Sequence, residues 1–467
     1  MLNRTDDVPC SLPAVTGIPG PRRPGAYETE PARHPTTGTA AIASTTRVQR
    51  ALAHPAAMHY RRLIALVLVV NAAVLALRLG RGEWHLDDGS ALSGLSDLAI
   101  LNLAVAVLMR QQHVLNVIYA LAGRGSRDWP LWLRRTVSKV NHIGGLHVGG
   151  ALAGTAWFLA FTVVVAVDRT RTAPVADTLT LGLSLAVAGL VVAVVLGAMP
   201  VVRARAHNVF EWTHRFGGWT AIGLFWPLTL HTVGHDPSSW QLWVLALITL
   251  SIVWPWLSLR RVPVRVTTPS THAAIVEFDY GVTPRHVAGV GVSRSPLREW
   301  HAFATVTTPG RSGYRILVSR AGDWTSRFID DPPTHLWVRG VPVRAPMAAV
   351  ETMYRRVVYV VTGSGIGPAL GQILASRIPA LLVWSTRDPR ATYGDALVDE
   401  VLAKNPDALI WDTTRQGKPD LLRLALSACR DFEAEAALVV SNKAGTWHVV
   451  HGLERLGIPA FGPIWDS

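Results

Sequence analysis

The sequence is poor in cysteine and in charge. Two cysteines, Cys10 and Cys429, occur in 467 residues, which excludes a disulfide framework and a cysteine-ligated zinc site. Charged residues make up 16% of the chain, against about a quarter in an ordinary soluble domain, so a simple cytosolic enzyme is disfavoured. Acids are scarcer still: 32 Asp and Glu stand against 45 Lys and Arg, a formal net charge of +13. No early apolar run resembles a signal-peptide core, so nothing is expected to be cleaved there, and no internal repeat is evident. Apolar residues, in contrast, make up 49% of the chain, and tryptophans number 18. Disorder throughout is therefore excluded, because such a chain can bury far more apolar surface than a disordered one. Nucleic-acid binding would explain the basic balance, but so would the inward-facing, Arg-rich loops of a membrane protein.

Residues 1–60 are Pro/Gly/Ala/Thr-rich without periodicity and read as a disordered tail. Six apolar stretches follow, near 63–79, 92–109, 145–167, 176–199, 217–234 and 240–258. A bilayer core of about 30 Å takes roughly 20 helical residues, so 61–259 is expected to form a six-helix transmembrane domain. The second stretch is interrupted by Ser93, Ser96, Asp97 and Asn102, and a surface helix is the other reading there. Basic residues flank alternate ends: Arg61 and Arg62, then Arg110 to Lys139, then Arg203, Arg205 and Arg215, then Arg260 and Arg261. The positive-inside rule then places both termini, and the C-terminal part with them, in the cytosol. Trp240, Trp243, Trp254 and Trp256 suit an interfacial aromatic belt.

From Val264 the texture changes. Alternating segments such as 274–278 and 314–318 read as strands, and 264–350 as a short β-barrel. Over 355–467, strands at 357–361, 380–384, 408–411 and 436–440 alternate with helical patterns near 367–376, 394–404, 419–430 and 445–456. That order is expected of a parallel α/β domain. The sharpest motif is a strand running into Gly363-Ser364-Gly365-Ile366-Gly367-Pro368 and then a helix. Glycines let the backbone approach a pyrophosphate, whose charge faces the positive end of the helix. An ordinary glycine-containing αβ turn is the plainer alternative. After the second strand, no acid stands ready for a ribose 2′-hydroxyl, whereas Ser385 and Arg387 suit a 2′-phosphate and hence NADP(H). A merely solvated Arg387 is the other reading.

These residues in this order resemble the ferric reductase and NADPH oxidase superfamily, and within it the fungal transmembrane flavoproteins linked to control of conidiation and their bacterial relatives. The narrower likeness rests on Ser319–Thr325 and Phe461–Ser467. The resemblance implies a six-helix membrane domain followed by a ferredoxin-reductase-like module that binds FAD and NAD(P)H. It carries over Phe303, in His301-Ala302-Phe303-Ala304, to the flavin ring, and Arg320, Gly322, Asp323, Trp324 and Thr325 to the region of the flavin phosphates. Gly363, Gly365, Gly367 and Pro368 match the pyridine-nucleotide loop, and Gly417-Lys-Pro-Asp420 the family's Gly-Arg-Pro element. Two departures stand out. The flavin hydroxyl is missing at Ala304, and the Cys-Gly-Pro that meets the nicotinamide is replaced by Val440-Ser441-Asn442, where Ser441 is the small polar substitute. Trp465 invites comparison with a terminal aromatic stacked on flavin, or it simply packs on the sheet.

Oxidases of this superfamily hold two haems with histidine pairs 13 or 14 residues apart on the third and fifth helices. Here those steps from His147 reach Ala160 and Phe161, and from His214 they reach Pro227 and Leu228, so a two-haem relay is not expected. One cytosolic-side haem between His147 (or His142) and His214 is one reading. Histidines that simply hydrogen-bond neighbouring helices are the other. His231 and His235, at i, i+4 with Asp236 adjacent, suggest a metal at the outer side or a frayed helix end. Two functions follow: a membrane flavoprotein passing electrons from cytosolic NAD(P)H through FAD to an unknown acceptor, or a membrane sensor that keeps the reductase fold and nucleotide binding without turnover.

Overall fold

The computed structural model describes residues 57–284, 287–375 and 378–463. The expected tail falls almost wholly on residues 1–56 and Trp465 on 464–467, both outside the described residues. The first half is helical: α1 His59–Gly80, α2 Ser90–Leu108, α3 Gln112–Ala122, α4 Leu131–Val137, α5 Gly144–Asp168, α6 Thr178–Gly197, α7 Gly218–Thr232 and α8 Trp240–Leu257. Helices α1, α2, α6, α8 and the run ending in α5 are long and apolar enough to cross a membrane. The fifth expected stretch, 217–234, forms α7. Helix α7 has only 15 residues, carries Pro227, and is entered through a π-helical turn, Thr213–Gly217. The helix His207–Trp212 runs through that turn into α7 without a break, so residues 207–232 are helical throughout.

Glycine sets the packing of α5. A Cβ on Gly145 would lie 2.3 Å from Tyr60 O and one on Gly149 2.8 Å from Val67 Cβ, both on α1. On Gly150 it would lie 2.7 Å from Asn102 O, and on Gly154 2.9 Å from Leu103 Cγ, both on α2. Two small-residue faces thus let two helices approach α5 closely. Asn71 and Asn102 exchange amide hydrogen bonds at 3.0 and 2.9 Å, and Trp157 Nε1 donates to Asn71 at 2.7 Å. Gly150→Leu is expected to force α2 from α5 and cost about 1–3 kcal/mol, which a thermal melt in detergent would register as a lowered midpoint.

Helix α8 ends at Leu257 and β1 (Leu259–Thr267) begins after the single residue Ser258. The residues between the expected transmembrane domain and the expected barrel thus belong to a strand. With β2 Ala273–Phe278, β3 Ala288–Ser293, β4 His301–Ala304, β5 Tyr314–Ser319, β6 His335–Arg339 and β7 Val343–Arg344 it forms an antiparallel sheet in the order β4-β3-β6-β1-β2-β5, with β7 on β3. A bridge between Val306 and Arg315 ties the end of β4 back to β5, so the sheet nearly closes on itself. Helix α9, Asp323–Asp330, buries Trp324, Phe328 and Ile329 inside it.

The third part alternates β8 Val357–Thr362, α10 Ile366–Ala375, β9 Ala380–Thr386, α11 Asp395–Lys404, β10 Leu409–Asp412, α12 Leu421–Asp431, β11 Ala436–Val440, α13 Lys443–Arg455 and β12 Ala460–Phe461. The sheet is wholly parallel, in the order β10-β9-β8-β11-β12. Its order reverses between β8 and β11, the place where open α/β sheets bind ligands at the carboxyl ends of the strands.

The basic stretch 110–143 is no plain loop. Asn116 on α3 donates to Pro342 O at 3.1 Å and accepts from Arg344 N at 2.7 Å. From α4, Arg134 donates to Met353 O at 3.0 Å and Glu435 at 2.9 Å, and Arg135 to Glu454 at 2.7 Å. Asn141 donates to Gly462 O at 2.8 Å. This segment therefore clamps the sheet domains against the bundle.

Candidate functional site

Three groups of predicted residues lie in three places. At the reversal of the parallel sheet, β8 runs into Gly363, whose φ of +50° needs glycine, and a tight turn, Gly363–Gly365, leads into α10. A Cβ on Gly365 would stand 2.4 Å from Val440 O, so this glycine brings the loop against the end of β11. A Cβ on Gly371 would stand 2.6 Å from Thr305 O, so α10 sits equally close to the barrel. Gly367 packs toward Leu317, and Pro368 lies in the first turn of α10, where its missing N–H costs nothing. Across the crevice Thr362 Oγ1 and Ser441 Oγ are 2.7 Å apart, and Asn442 caps α13 through Gly445 N at 2.8 Å. Trp384 Nε1 donates to Gly363 O at 3.0 Å, fixing the loop from below. Ser385 is buried at the end of β9, and Arg387 is exposed just beyond. Two acids do lie at these strand ends. Asp388, however, caps Ala391 N, and Asp412 accepts from Asp388 N at 3.0 Å and Thr414 N at 2.9 Å, so both carboxylates are engaged with backbone.

In the barrel, His301 stacks on Trp324 at 4.0 Å between centroids, with Phe303 6.2 Å from the same ring. His301 Nε2 and Trp324 Nε1 are buried with no hydrogen-bond partner, a costly state for polar atoms. Burial, with His207 adding a little, lowers the His301 pKa to about 4, so the ring is neutral at pH 7. Arg320 pairs with Asp330 and donates to Thr271 O at 2.8 Å. Thr325 Oγ1 accepts from Ala321 N at 2.9 Å and Gly322 N at 3.1 Å, and Gly322 borders open space.

The third place is a chamber of about 1240 Å³ at the end of the bundle that meets the barrel. His147 and His214 face each other across it with ring centroids 6.2 Å apart. The Nδ1 of His147 is 2.7 Å from Ala106 O, which leaves Nε2 free. His142, the alternative, instead accepts Tyr60 N at 3.1 Å and fixes the start of α1. Trp256, expected in an interfacial belt, lines the chamber, 6.3 Å from Trp300 of the barrel. Arg339 lies over Trp300 at 4.4 Å and over Trp256 at 5.8 Å, and burial lowers its pKa to about 10 without discharging it at pH 7. Trp300 immediately precedes His301, so the barrel site and the chamber adjoin. His231 and His235 do not converge on a metal site. His231 bonds Asp177 at 2.8 Å, His235 lies past the end of α7 with φ +59°, and among the described residues no group of three His, Cys, Asp or Glu is set to hold a metal.

Sequence reasoning missed Arg110, Trp300 and Arg339 as wall or bridge residues. Arg110 was counted as a loop charge, and the other two carry no local signal of what they meet.

Residues 347–467 match the family described as adenylate-forming reductase 03009, C-terminal domain. Adenylate-forming reductases 03009 and 06235 of Coprinopsis cinerea are 40% and 38% identical to this chain over 432 residues. That stretch is 90% of this chain but 41% of each relative, so the chain spans about two fifths of the curated proteins it matches. Among solved structures, a ferredoxin NADP+ reductase from Neisseria gonorrhoeae with bound FAD and NADP aligns at 15% identity and a TM-score of 0.35, covering 44% of this chain and 99% of its own. The flavohem-like FAD/NAD binding domain of nitric oxide dioxygenase from Vibrio cholerae O1 biovar El Tor aligns at 15% identity and a TM-score of 0.32, with the same coverages.

Proposed function

We propose that this chain is an integral-membrane oxidoreductase that takes hydride from NAD(P)H onto FAD on the cytosolic side and delivers electrons toward the bundle. One observation carries the reading: a glycine loop at the reversal of a parallel sheet faces a nearly closed barrel, which in turn adjoins a chamber among apolar helices. The loop of Gly363 and Gly365, with the start of α10, suits a pyrophosphate. The unsatisfied ring nitrogens of His301 and Trp324 suit a polar heterocycle such as the flavin. When bound, the flavin supplies the two-electron chemistry and its conversion to single electrons. The protein's own part is to bind and orient. Gly365 and Gly371 set the approach of loop and barrel, Thr362 and Ser441 present hydroxyls at the nicotinamide end of the crevice, and the His301–Trp324 stack shapes the flavin face. Exposed apolar residues such as Val69, Val163 and Leu185 support a lipid-facing bundle, and the basic inner flanks support a cytosolic site.

A haem also fits the chamber. His147 and His214 leave one metal ion's width between their rings, and the Ala106 carbonyl fixes His147 in the tautomer a ligand needs. Such a group supplies one-electron transfer.

The second reading is a nucleotide-binding sensor. The internal engagement of Arg320 and Thr325 favours it, since the groups matched to the flavin phosphates already have partners. An absorption spectrum of detergent-purified protein, taken before and after anaerobic NADPH, decides between the two. Flavin bands that bleach are the expected result. A protein that stays colourless after FAD is supplied, yet still binds NADPH, would overturn the enzyme and leave the sensor.

A further inference from the structure

The chamber is chemically two-ended. Its deep wall is apolar, built from Ile100, Leu103, Phe225, Leu245 and Ile248. Its cytosolic mouth carries Arg61, Arg110, Arg203, Arg215, Arg339 and Lys443, and among the described residues no Asp or Glu lines it. From Ile100 to the end of α2 at Leu108 is eight residues, about 12 Å of helical rise, and Arg110 follows just beyond. Like charges around one space repel one another, and beside low-dielectric walls that repulsion is poorly screened. Some of the mouth is balanced elsewhere. Arg215 donates to Leu297 O at 3.0 Å and lies 3.9 Å from Glu211, while Arg339 rests on Trp300. Arg110 differs: its side chain has no hydrogen bond, ion pair or ring contact among the described residues.

We propose that the chamber binds an apolar molecule bearing an acidic group, and that Arg110 anchors the acid. The proposal deepens the haem reading, because a haem carries propionates on an apolar ring. An acidic phospholipid offers the same chemistry from another source. A guanidinium suits either anion, since its planar fork pairs with carboxylate or phosphate through two hydrogen bonds.

The test uses full-length protein purified in detergent as wild type, Arg110→Met, Arg110→Lys and His214→Ala. Each is assayed by absorption spectrum, reductive titration and extraction of bound phospholipid, with a thermal melt to establish folding. Wild type is expected to show a Soret band that His214→Ala abolishes. Arg110→Met should retain haem at least tenfold more weakly, and what it retains should titrate at a lower midpoint, because loss of a nearby cation disfavours the added electron. Arg110→Lys should recover part of both. A folded Arg110→Met with unchanged haem retention and midpoint would overturn the anchor and leave the haem. A wild type with no Soret band that holds phosphatidylglycerol, lost in Arg110→Met, would overturn the haem and support the acid site. A chamber that holds neither would overturn both.

Discussion

Replacing Gly365 with valine is expected to cut the affinity for NAD(P)H by roughly 10- to 100-fold while leaving flavin in place. The reason is steric and local. The first added carbon would stand 2.4 Å from Val440 O and 3.2 Å from Val440 Cγ1. Val440 yields little, because the nearest atom is backbone and the residue is paired with Val361 at the end of β11. The loop must therefore lift away from β11, carrying Ser364 and the start of α10 with it. Overpacking of this kind costs about 1–3 kcal/mol, and each 1.4 kcal/mol is about tenfold in binding. An anaerobic NADPH titration of flavin bleaching would measure the change. Gly182→Ala, where an added carbon meets nothing within 4 Å, is the matched control and should leave the titration unaltered. Equal affinities for Gly365→Val and wild type would show that the loop does not hold the nucleotide.

The other large effect is expected at Arg134. This buried guanidinium bonds Met353 O and Glu435 and lies 5.4 Å over the Tyr354 ring. Arg134→Met keeps the length but removes the donors. Stranding one partner of a buried ion pair costs about 3–5 kcal/mol, and the value here should be nearer 2, since Glu435 is partly exposed and keeps its bond from Arg355 N at 2.8 Å. Limited proteolysis should then cut between the barrel and the parallel-sheet domain faster than in wild type. The clamp also has a pH limit. Burial works against the Glu435 carboxylate, but the Arg355 N–H and the Arg134 guanidinium outweigh it and hold its pKa below the ordinary 4.5. Its contribution is thus complete above pH 4.5 and is lost as pH falls through the depressed value. Proteolysis of Arg134→Met at the wild-type rate would show that the clamp is not what holds the domains.

The parallel sheet was legible because strands buried on both faces read as unbroken Val, Leu and Ile runs. The Val357–Thr362 strand announces itself, and so does the turn after it. The barrel was only half legible. Strand β3 is Ala-Gly-Val-Gly-Val-Ser and β4 is His-Ala-Phe-Ala, too short and too small in side chain to show alternation. The clamp was illegible because Arg134 and Glu435 are 301 positions apart. Nothing local distinguishes an arginine that orients a helix from one that docks a domain. The candidate site divides the same way. Gly363 and Gly365 carry a local backbone signal, whereas the approach of His147 to His214 depends on how α5 and the turn before α7 pack. The fifth apolar run did become helix, and only the π-turn before it, which changes helix phase without changing composition, went unread.

One joint sets a mechanical condition on whatever chemistry occurs. With Ser258 alone between α8 and β1, and β1 paired at once with β6 from Leu259 against Arg339, the barrel has no tether on which to swing. A donor in the barrel and an acceptor in the bundle are held at one spacing, as on a rigid bracket. Under the proposed function, electron delivery between them proceeds by tunnelling across a constant gap, at a rate indifferent to solvent viscosity, and not by a domain shuttling between stations.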